Sequence, residues 1–383
     1  MQDRSPSDVI KPEVRSASAY TLKHFKADVK LDQNENPHEL PQEFKREVAE
    51  RVLVRPWGRY PEFVPAAMTR TLAEFTGWPE DGILVGNGSN ELIQAALAVT
   101  LGPGRTVVIP QPTFTLYKLQ SSVLQARIVT VSLKEREAFL PFRGEEPPKA
   151  AGGQSPDKGV REFTFDVDGL AQAARSAEVV VICSPNNPTG TLLELKDLAC
   201  ILDNARGIVL LDEAYHEFSR QSAFPLLASH RNLVVLRTFS KAMSMAGLRF
   251  GYMLAHPEIA REVHKAKLPY NVNIFSLTAA QLIVERGGVQ KAAVEAVIAE
   301  RERLFAELRK RRGVETFASH ANFLLFRTAR PAREIFDALY KQGVLVRDVS
   351  SYPMLERVLR VTVGKPEENN RFLTALDRVL EDR

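Results

Sequence analysis

Cysteine is scarce: Cys183 and Cys200 are the only two in 383 residues. That leaves no disulfide framework and suits a reducing compartment. Neither cysteine stands at a metal-ligand spacing and the seven histidines are scattered, so no metal is expected. No apolar run reaches the roughly 18 residues that a membrane-spanning helix needs. The N-terminal residues lack the apolar stretch of a secretory signal. These absences point to a cytoplasmic protein that meets no membrane. Charge of one sign is also in short supply. The net charge of +4 is spread along the chain, which suits a small anionic substrate and gives no indication of nucleic acid. The densest basic run, residues 309–312, closes a long helical pattern and precedes Gly313, as a helix C-terminus favours. Two nucleotide-binding signatures are missing as well. Gly86-Asn87-Gly88-Ser89-Asn90-Glu91 has neither the Gly-Lys-Ser/Thr of a P-loop nor the GxGxxG of a dinucleotide site.

What the chain does have is a series of short, continuous apolar runs. Its 44% hydrophobic and 26% charged residues are those of a globular protein long enough for two domains. Residues 83–85, 106–109, 179–183, 208–211 and 233–236 lack polar alternation, and helical stretches separate them. That pattern predicts an α/β protein with a mostly parallel sheet covered by helices on both faces. Ligands in such sheets sit outside the carboxyl ends of the strands. Here those ends carry useful groups: Ser89 and Asn90, Phe114, Asn187, Asp212 with Tyr215, and Lys241. Parallel pairing would gather them in one crevice. The small residues before the helix at 92–101 expose free N–H groups and a positive dipole end, an anion site, with Ser89 either contacting a phosphate or serving as a plain N-cap.

Helical spacing is read at 41–53, where Phe44, Val48 and Val52 share a face, at 66–75, and at 193–204. Residues 127–133 read as a further strand, 141–160 as an exposed loop insertion, and 163–174 as a return through a helix. Beyond about residue 269 the pattern changes. A long helix at 274–294 is expected to run on into a second that ends at 312. Strands at 321–327, 344–346 and 358–363 and helices at 332–342 and from 366 complete a smaller α+β unit. The expected division is an N-terminal arm at 1–45 lying on the small domain or a partner subunit, a large domain at 46–270 and a small domain at 271–383. Arg327 and Arg360 each sit in an apolar strand. Each either meets a carboxylate within the protein or waits for an anionic ligand.

The chain is organised around Thr238-Phe239-Ser240-Lys241 and the loop that follows it to Arg249. A lysine at the end of a buried strand is desolvated, which lowers its pKa and makes its amine a nucleophile. Schiff-base chemistry with an aldehyde cofactor needs that species. Arg249 is a fixed cation in the same loop, able to take a phosphate.

Thr238-Phe239-Ser240-Lys241 with Gly247 and Arg249 resembles the lysine motif of the fold-type-I pyridoxal-phosphate aminotransferases, class II. Ser184-Pro185-Asn186-Asn187-Pro188-Thr189-Gly190 and Asp212-Glu213-Ala214-Tyr215 resemble the two other hallmarks, in the family order. Asn34-Glu35-Asn36-Pro37, Arg59-Tyr60-Pro61, Ala321-Asn322-Phe323 and Leu359-Arg360-Val361-Thr362-Val363-Gly364 are most similar to its histidinol-phosphate branch. The resemblance spans nearly the whole chain. It implies the cofactor pyridoxal 5'-phosphate and a ping-pong transamination through a Schiff base on Lys241, from histidinol phosphate to 2-oxoglutarate in histidine biosynthesis. Aromatic-amino-acid aminotransferases and threonine-phosphate decarboxylases share much of the pattern. A cofactor-binding regulator is a third reading, against which the complete Lys241, Asp212, Asn187 and Tyr215 set argues.

The resemblance also implies roles. Lys241, Asp212 and Tyr215 are the expected catalytic residues, with Asp212 at the ring nitrogen. Tyr215 and Asn187 hydrogen-bond the ring oxygen, and Phe114 stacks on the ring. Ser89, Asn90, Thr238, Ser240 and Arg249 hold the phosphate, and Tyr60 reaches it in a neighbouring subunit, so a homodimer is expected. Family members often carry Asp where this chain has Asn90. Arg360 takes the substrate's anionic end, with Arg327, Tyr20 and Asn34 as further substrate contacts.

Overall fold

A computed structural model describes residues 5–17, 25–137, 160–287 and 290–381. Tyr20 and nearly all of the 141–160 insertion lie outside the described residues. At the centre is a seven-stranded sheet in the order Ile83–Gly86, Gly251–Ala255, Leu233–Thr238, Ile208–Asp212, Val179–Cys183, Thr106–Gln111, Arg127–Ser132. Gly251–Ala255 runs against both its neighbours. The remaining pairings are parallel. Successive side chains of one strand enter different layers, as the two-residue period of a strand requires. Val179, Val181 and Cys183 pack on one face, and Val180 and Ile182 on the other. The first face is covered by helices Ser89–Thr100, Thr115–Val123 and Pro257–His264. Val167–Ala174, Leu195–Asn204 and Ile274–Glu285 cover the second. Burial on both faces is why these strands read as unbroken apolar runs.

A six-stranded sheet has the order Arg347–Asp348, Val358–Thr362, Phe323–Thr328, Val314–Phe317, Val160–Thr164, Lys134–Glu137. Its last two strands come from the middle of the chain and pair antiparallel. This corrects the reading of 163–174 as helix throughout. Only Val167–Ala174 is helical, and Asp166 caps it by accepting from the Gly169 N–H. The expected run of helix from 274 to 312 is also interrupted. Ile274–Glu285 ends before Gly287, whose φ of 32° leaves the helical region, and a new helix spans Lys291–Arg309. Its basic end and Gly313 at φ 80° match the expected terminus. Val29–Lys30 pairs with Val344–Leu345 and leads the chain toward the main sheet. No helix among the described residues is long and apolar enough to cross a membrane.

Candidate active site

Asp212 ends the strand Ile208–Asp212, and Lys241 follows its parallel neighbour Leu233–Thr238, in which Leu236 stands opposite Asp212. Both groups therefore reach the same sheet edge. Side-chain alternation sends Asp212 to the face of Leu210 and Leu236. Residues from all the strand ends singled out in the sequence line one cleft of about 200 Å³: Ser89, Asn90, Phe114, Asn187, Asp212, Tyr215, Thr238, Ser240, Lys241 and Arg249.

The Lys241 Nζ donates to the Gln33 carbonyl at 2.8 Å and lies 6.0 Å from the centre of the Tyr215 ring. Burial of its amine end, then the Arg360 guanidinium, brings its pKa from 10.5 down to about 8. Roughly a tenth of the molecules then carry a neutral amine at pH 7. Trinitrobenzenesulfonate is accordingly expected to label Lys241 in the ligand-free protein. The rate, followed by peptide mass spectrometry, should rise about tenfold per pH unit up to about pH 8 and then level. A rate still climbing at pH 10 contradicts this.

Asp212 is buried, and burial raises its pKa to about 6 against the opposing pull of two hydrogen bonds. Tyr117 Oη donates to its Oδ2 at 2.7 Å, and the Ala214 N–H donates to its Oδ1 at 3.1 Å. The Tyr215 hydroxyl accepts from Asn34 Nδ2 at 3.0 Å, and burial pushes its own pKa up. Asn34 is itself pinned by Thr362, which receives its backbone N–H and donates to its side-chain oxygen.

At the other end of the cleft lies an anion cradle. The helix Ser89–Thr100 has Gly88 at its N-cap, which supplies no capping side chain. Ser89 is thus the first helical residue rather than the cap. Thr238 Oγ1 donates to Ser240 Oγ at 3.0 Å, and Arg249 Nη1 donates to the same oxygen at 3.0 Å. Gly88 stands at φ 78°, and a Cβ there would lie 2.5 Å from Arg249 Nη2. A Cβ on Gly251 would lie 2.5 Å from the Ser89 nitrogen. Both glycines are needed for the guanidinium and the helix start to come this close.

Arg360 reaches the cleft from the six-stranded sheet. Its guanidinium donates to Asn187 Oδ1 at 2.7 Å and to the Asp32 carbonyl at 2.6 Å, over the Phe323 ring. Arg347 lies directly across the ladder from Arg360 and lines the same cleft, as do Val349 and Tyr352. Arg347 and Tyr117 escaped the sequence reading. Arg327 is not brought to this site. It is held by Glu135 and Glu315 at 2.9 and 3.0 Å, so of its two readings it takes the internal carboxylate. Tyr60 stands 80% exposed, stacked on Tyr270 away from the cleft of its own chain.

The residues fit the aldehyde cofactor anticipated above. One amine, one carboxylate and one phosphate cradle converge, with an aromatic side chain, Phe114, lining the same cleft. Those are the complements of an aldehyde, a ring nitrogen and a phosphate ester on one ring.

The sequence profile of class I and II aminotransferases matches residues 26–376. The histidinol-phosphate aminotransferase of Chlorobium phaeovibrioides is 38% identical over 371 residues, 96% of this chain and 96% of that protein. The histidinol-phosphate aminotransferase of Sinorhizobium meliloti, solved in complex with pyridoxal-5'-phosphate, superposes with a TM-score of 0.81 at 20% identity over 98% of each chain. That of Clostridium acetobutylicum gives 0.80 at 23% identity over 93% of this chain and 100% of the other. At these identities the two structures bear on fold.

Proposed function

The chain belongs to the class I and II aminotransferases, and from that premise we propose that it transfers the amino group of histidinol phosphate to 2-oxoglutarate, yielding imidazole acetol phosphate and glutamate, with pyridoxal 5'-phosphate as cofactor. The observation that carries the reading is the meeting of Lys241, Asp212 and the Arg249 cradle in one cleft that two further arginines, Arg347 and Arg360, also enter.

Asp212 would hold the ring nitrogen of the cofactor, and Tyr215 and Asn187 its ring oxygen. Phe114 would lie against the ring. The Ser89 and Asn90 amides, Thr238, Ser240 and Arg249 would hold the phosphate; Asn90 needs only its backbone for this. When bound, the cofactor supplies an electron sink for the carbon that bears the substrate amine. Lys241 Nζ supplies the proton movement. Its lowered pKa leaves a neutral amine available near neutral pH, so it takes the proton from that carbon as a general base and later gives it up again. Asp212 keeps a proton on the nitrogen opposite it as long as its carboxyl is ionised. Arg360 and Arg347 bind the anionic end of the substrate. A guanidinium takes a phosphate or a carboxylate in the same forked geometry, so histidinol phosphate and 2-oxoglutarate can use the place in turn. Arg347 thereby fills the part first expected of Arg327. Asn34 acts by steadying Tyr215, and a contact from Tyr20 belongs to this proposal too.

A homodimer accompanies the reading. Leu53, Val54, Trp57, Tyr60, Phe63, Leu268 and Tyr270 are exposed on neighbouring stretches, with Tyr60 and Phe63 both against Tyr270. A second copy would cover this apolar surface and bring its own Tyr60 to the phosphate. The arm at 1–45, the large domain at 46–270, the small domain at 271–383 and a cytoplasmic location belong to the same proposal.

The test is a panel of histidinol phosphate, phenylalanine and threonine phosphate scored by kcat/KM with 2-oxoglutarate, alongside carbon dioxide release. Histidinol phosphate is expected to lead without gas evolution; release of carbon dioxide from threonine phosphate as the main reaction would overturn the assignment. Arg360→Lys is expected to lower kcat/KM for histidinol phosphate roughly 10- to 100-fold, the worth of charge-assisted bonds that a single ammonium cannot reproduce.

A further inference from the structure

The cleft contains one contact with no assigned part in this chemistry. Tyr117, on the helix Thr115–Val123, is fully buried, and its hydroxyl points at Asp212. Asp212 lies where a carboxylate is hard to keep charged. Its other titratable neighbours do little for it: Cys183 stands opposite in the strand ladder, Glu213 follows in the chain, Tyr215 lies on its own segment, and Lys241 is beyond. Cys183 and Glu213 oppose the charge when ionised, and Lys241 is the weakest of the groups that favour it. Two donors remain, the Ala214 N–H and the Tyr117 hydroxyl, one to each oxygen. A carboxylate oxygen accepts more than one donor, so both oxygens can still face the cleft that Asp212 lines.

We propose that Tyr117 is a positioning residue for Asp212: its hydroxyl holds the carboxylate ionised and oriented, so that the proton it shares with the cofactor nitrogen stays on the nitrogen. This inference rests on reading the cleft as a pyridoxal-phosphate site. A tyrosine suits the task because burial and the adjacent Asp212 push its own pKa well above the ordinary value, so it remains a donor over the working pH range. A backbone amide fixes one oxygen only; the second bond fixes the rotation of the carboxyl plane. Tyr117 itself is held by its ring, edge-on to Phe114 at 5.6 Å, within the core of the first face.

Tyr117→Phe deletes the oxygen and keeps that ring packing. Two measurements decide. In the protein without cofactor, Asp212 has a folded-state pKa of about 6 against 3.8 for a free carboxyl. A raised carboxyl pKa means that stability declines as pH rises between those values, because the unfolded chain releases its proton first. Without the tyrosine the folded pKa rises further. The variant should therefore trail the wild type most above pH 6 in urea unfolding, and the gap should narrow toward pH 4. With cofactor, the dissociation constant for pyridoxal phosphate at pH 7 should rise roughly 10- to 100-fold and recover as pH is raised. In steady state kcat should fall while KM for histidinol phosphate holds. The same substitution in an Asp212→Asn background should leave the pH profile of cofactor binding unchanged. A Tyr117→Phe protein whose stability deficit and dissociation constant are uniform across pH 5 to 9, or whose pH effect survives in the Asp212→Asn background, overturns the proposal. Wild-type protein that does not bind pyridoxal phosphate overturns the underlying reading instead.

Discussion

Lys241→Ala is expected to lose at least roughly 10⁴-fold in steady-state transamination, the upper end of what one positioned acid–base group contributes. The loss is this large because the same nitrogen serves two purposes, as nucleophile toward an aldehyde and as proton carrier. Among the described residues that line the cleft no other amine takes its place: Arg249 and Arg360 are guanidinium groups that do not give up a proton, and Lys30 is outside the lining, paired with Asp32 and Glu35. The measurement is turnover of histidinol phosphate with 2-oxoglutarate, and multiple turnovers by the variant would remove the central assignment. The fold should survive. Lys241 gives up one bond, to the carbonyl of Gln33, an exposed residue that water can serve. The lysine pKa in the folded chain lies below its free value, so a desolvated ammonium costs stability at pH values below about 8, and that cost fades as pH rises toward 10.5. Removing it leaves the cofactor-free variant at least as stable as the wild type at neutral pH, which urea unfolding would show.

Arg237→Met carries the largest expected effect on stability, about 3–5 kcal/mol in urea unfolding, because it strands a buried carboxylate. Arg237 and Glu213 are almost entirely buried and meet at 3.0 Å. Arg237 also donates to Ser222 Oγ at 2.6 Å and to the Tyr252 hydroxyl at 3.2 Å. Glu213 accepts from Ser222 Oγ at 3.0 Å and from the Ala223 N–H at 2.5 Å. The pair sits on the opposite face of the sheet from Asp212, since Arg237 follows Leu236 in an alternating strand and reaches Tyr252 in the other layer. Combining Arg237→Met with Glu213→Leu should restore part of the loss, because apolar side chains replace a buried pair more readily than they replace half of one. Ala223 keeps an unpaired N–H in that double variant, which is why recovery stops short. A double variant whose loss equals the sum of the losses of Arg237→Met and Glu213→Leu alone would show that the two charges are not coupled.

The legible part of this chain is its parallel sheet. Runs such as Val179–Cys183, and Ile208–Asp212 up to its last residue, are covered on both faces, so they are unbroken apolar stretches and the strand shows without any knowledge of its partners. The groups at their ends were legible for the same reason. Strands with little burial were harder to see. Val160–Thr164 is short and partly polar, Lys134–Glu137 is charged at every position with no buried residue, and both belong to a sheet whose other members lie far along the chain. Two arginines show the limit most clearly. Arg327 stands in an apolar strand and invited a ligand, but its cross-strand neighbour in register is Glu315. Arg347 sits in a two-residue strand with no periodicity, yet it is the one that faces Arg360. Register between distant segments decides both cases, and a single sequence does not display it. Tyr117 was hidden differently: on a short mixed helix it reads as an ordinary core aromatic, and its hydroxyl matters only once Asp212 lies within reach of it.

One strand of the main sheet runs backwards, and this constrains how the chain can vary in length. Because Gly251–Ala255 is antiparallel, it starts at the edge where its neighbour Leu233–Thr238 stops, with Gly251 opposite Thr238. The lysine and the arginine of the loop between them are therefore delivered together by a tight reversal, not by a helix crossing the sheet. Elsewhere a crossover can gain or lose a residue and absorb the change in its helix. Between 239 and 250 any added residue must displace either the amine or the guanidinium, so the spacing from Lys241 to Arg249 is a dimension of the site itself.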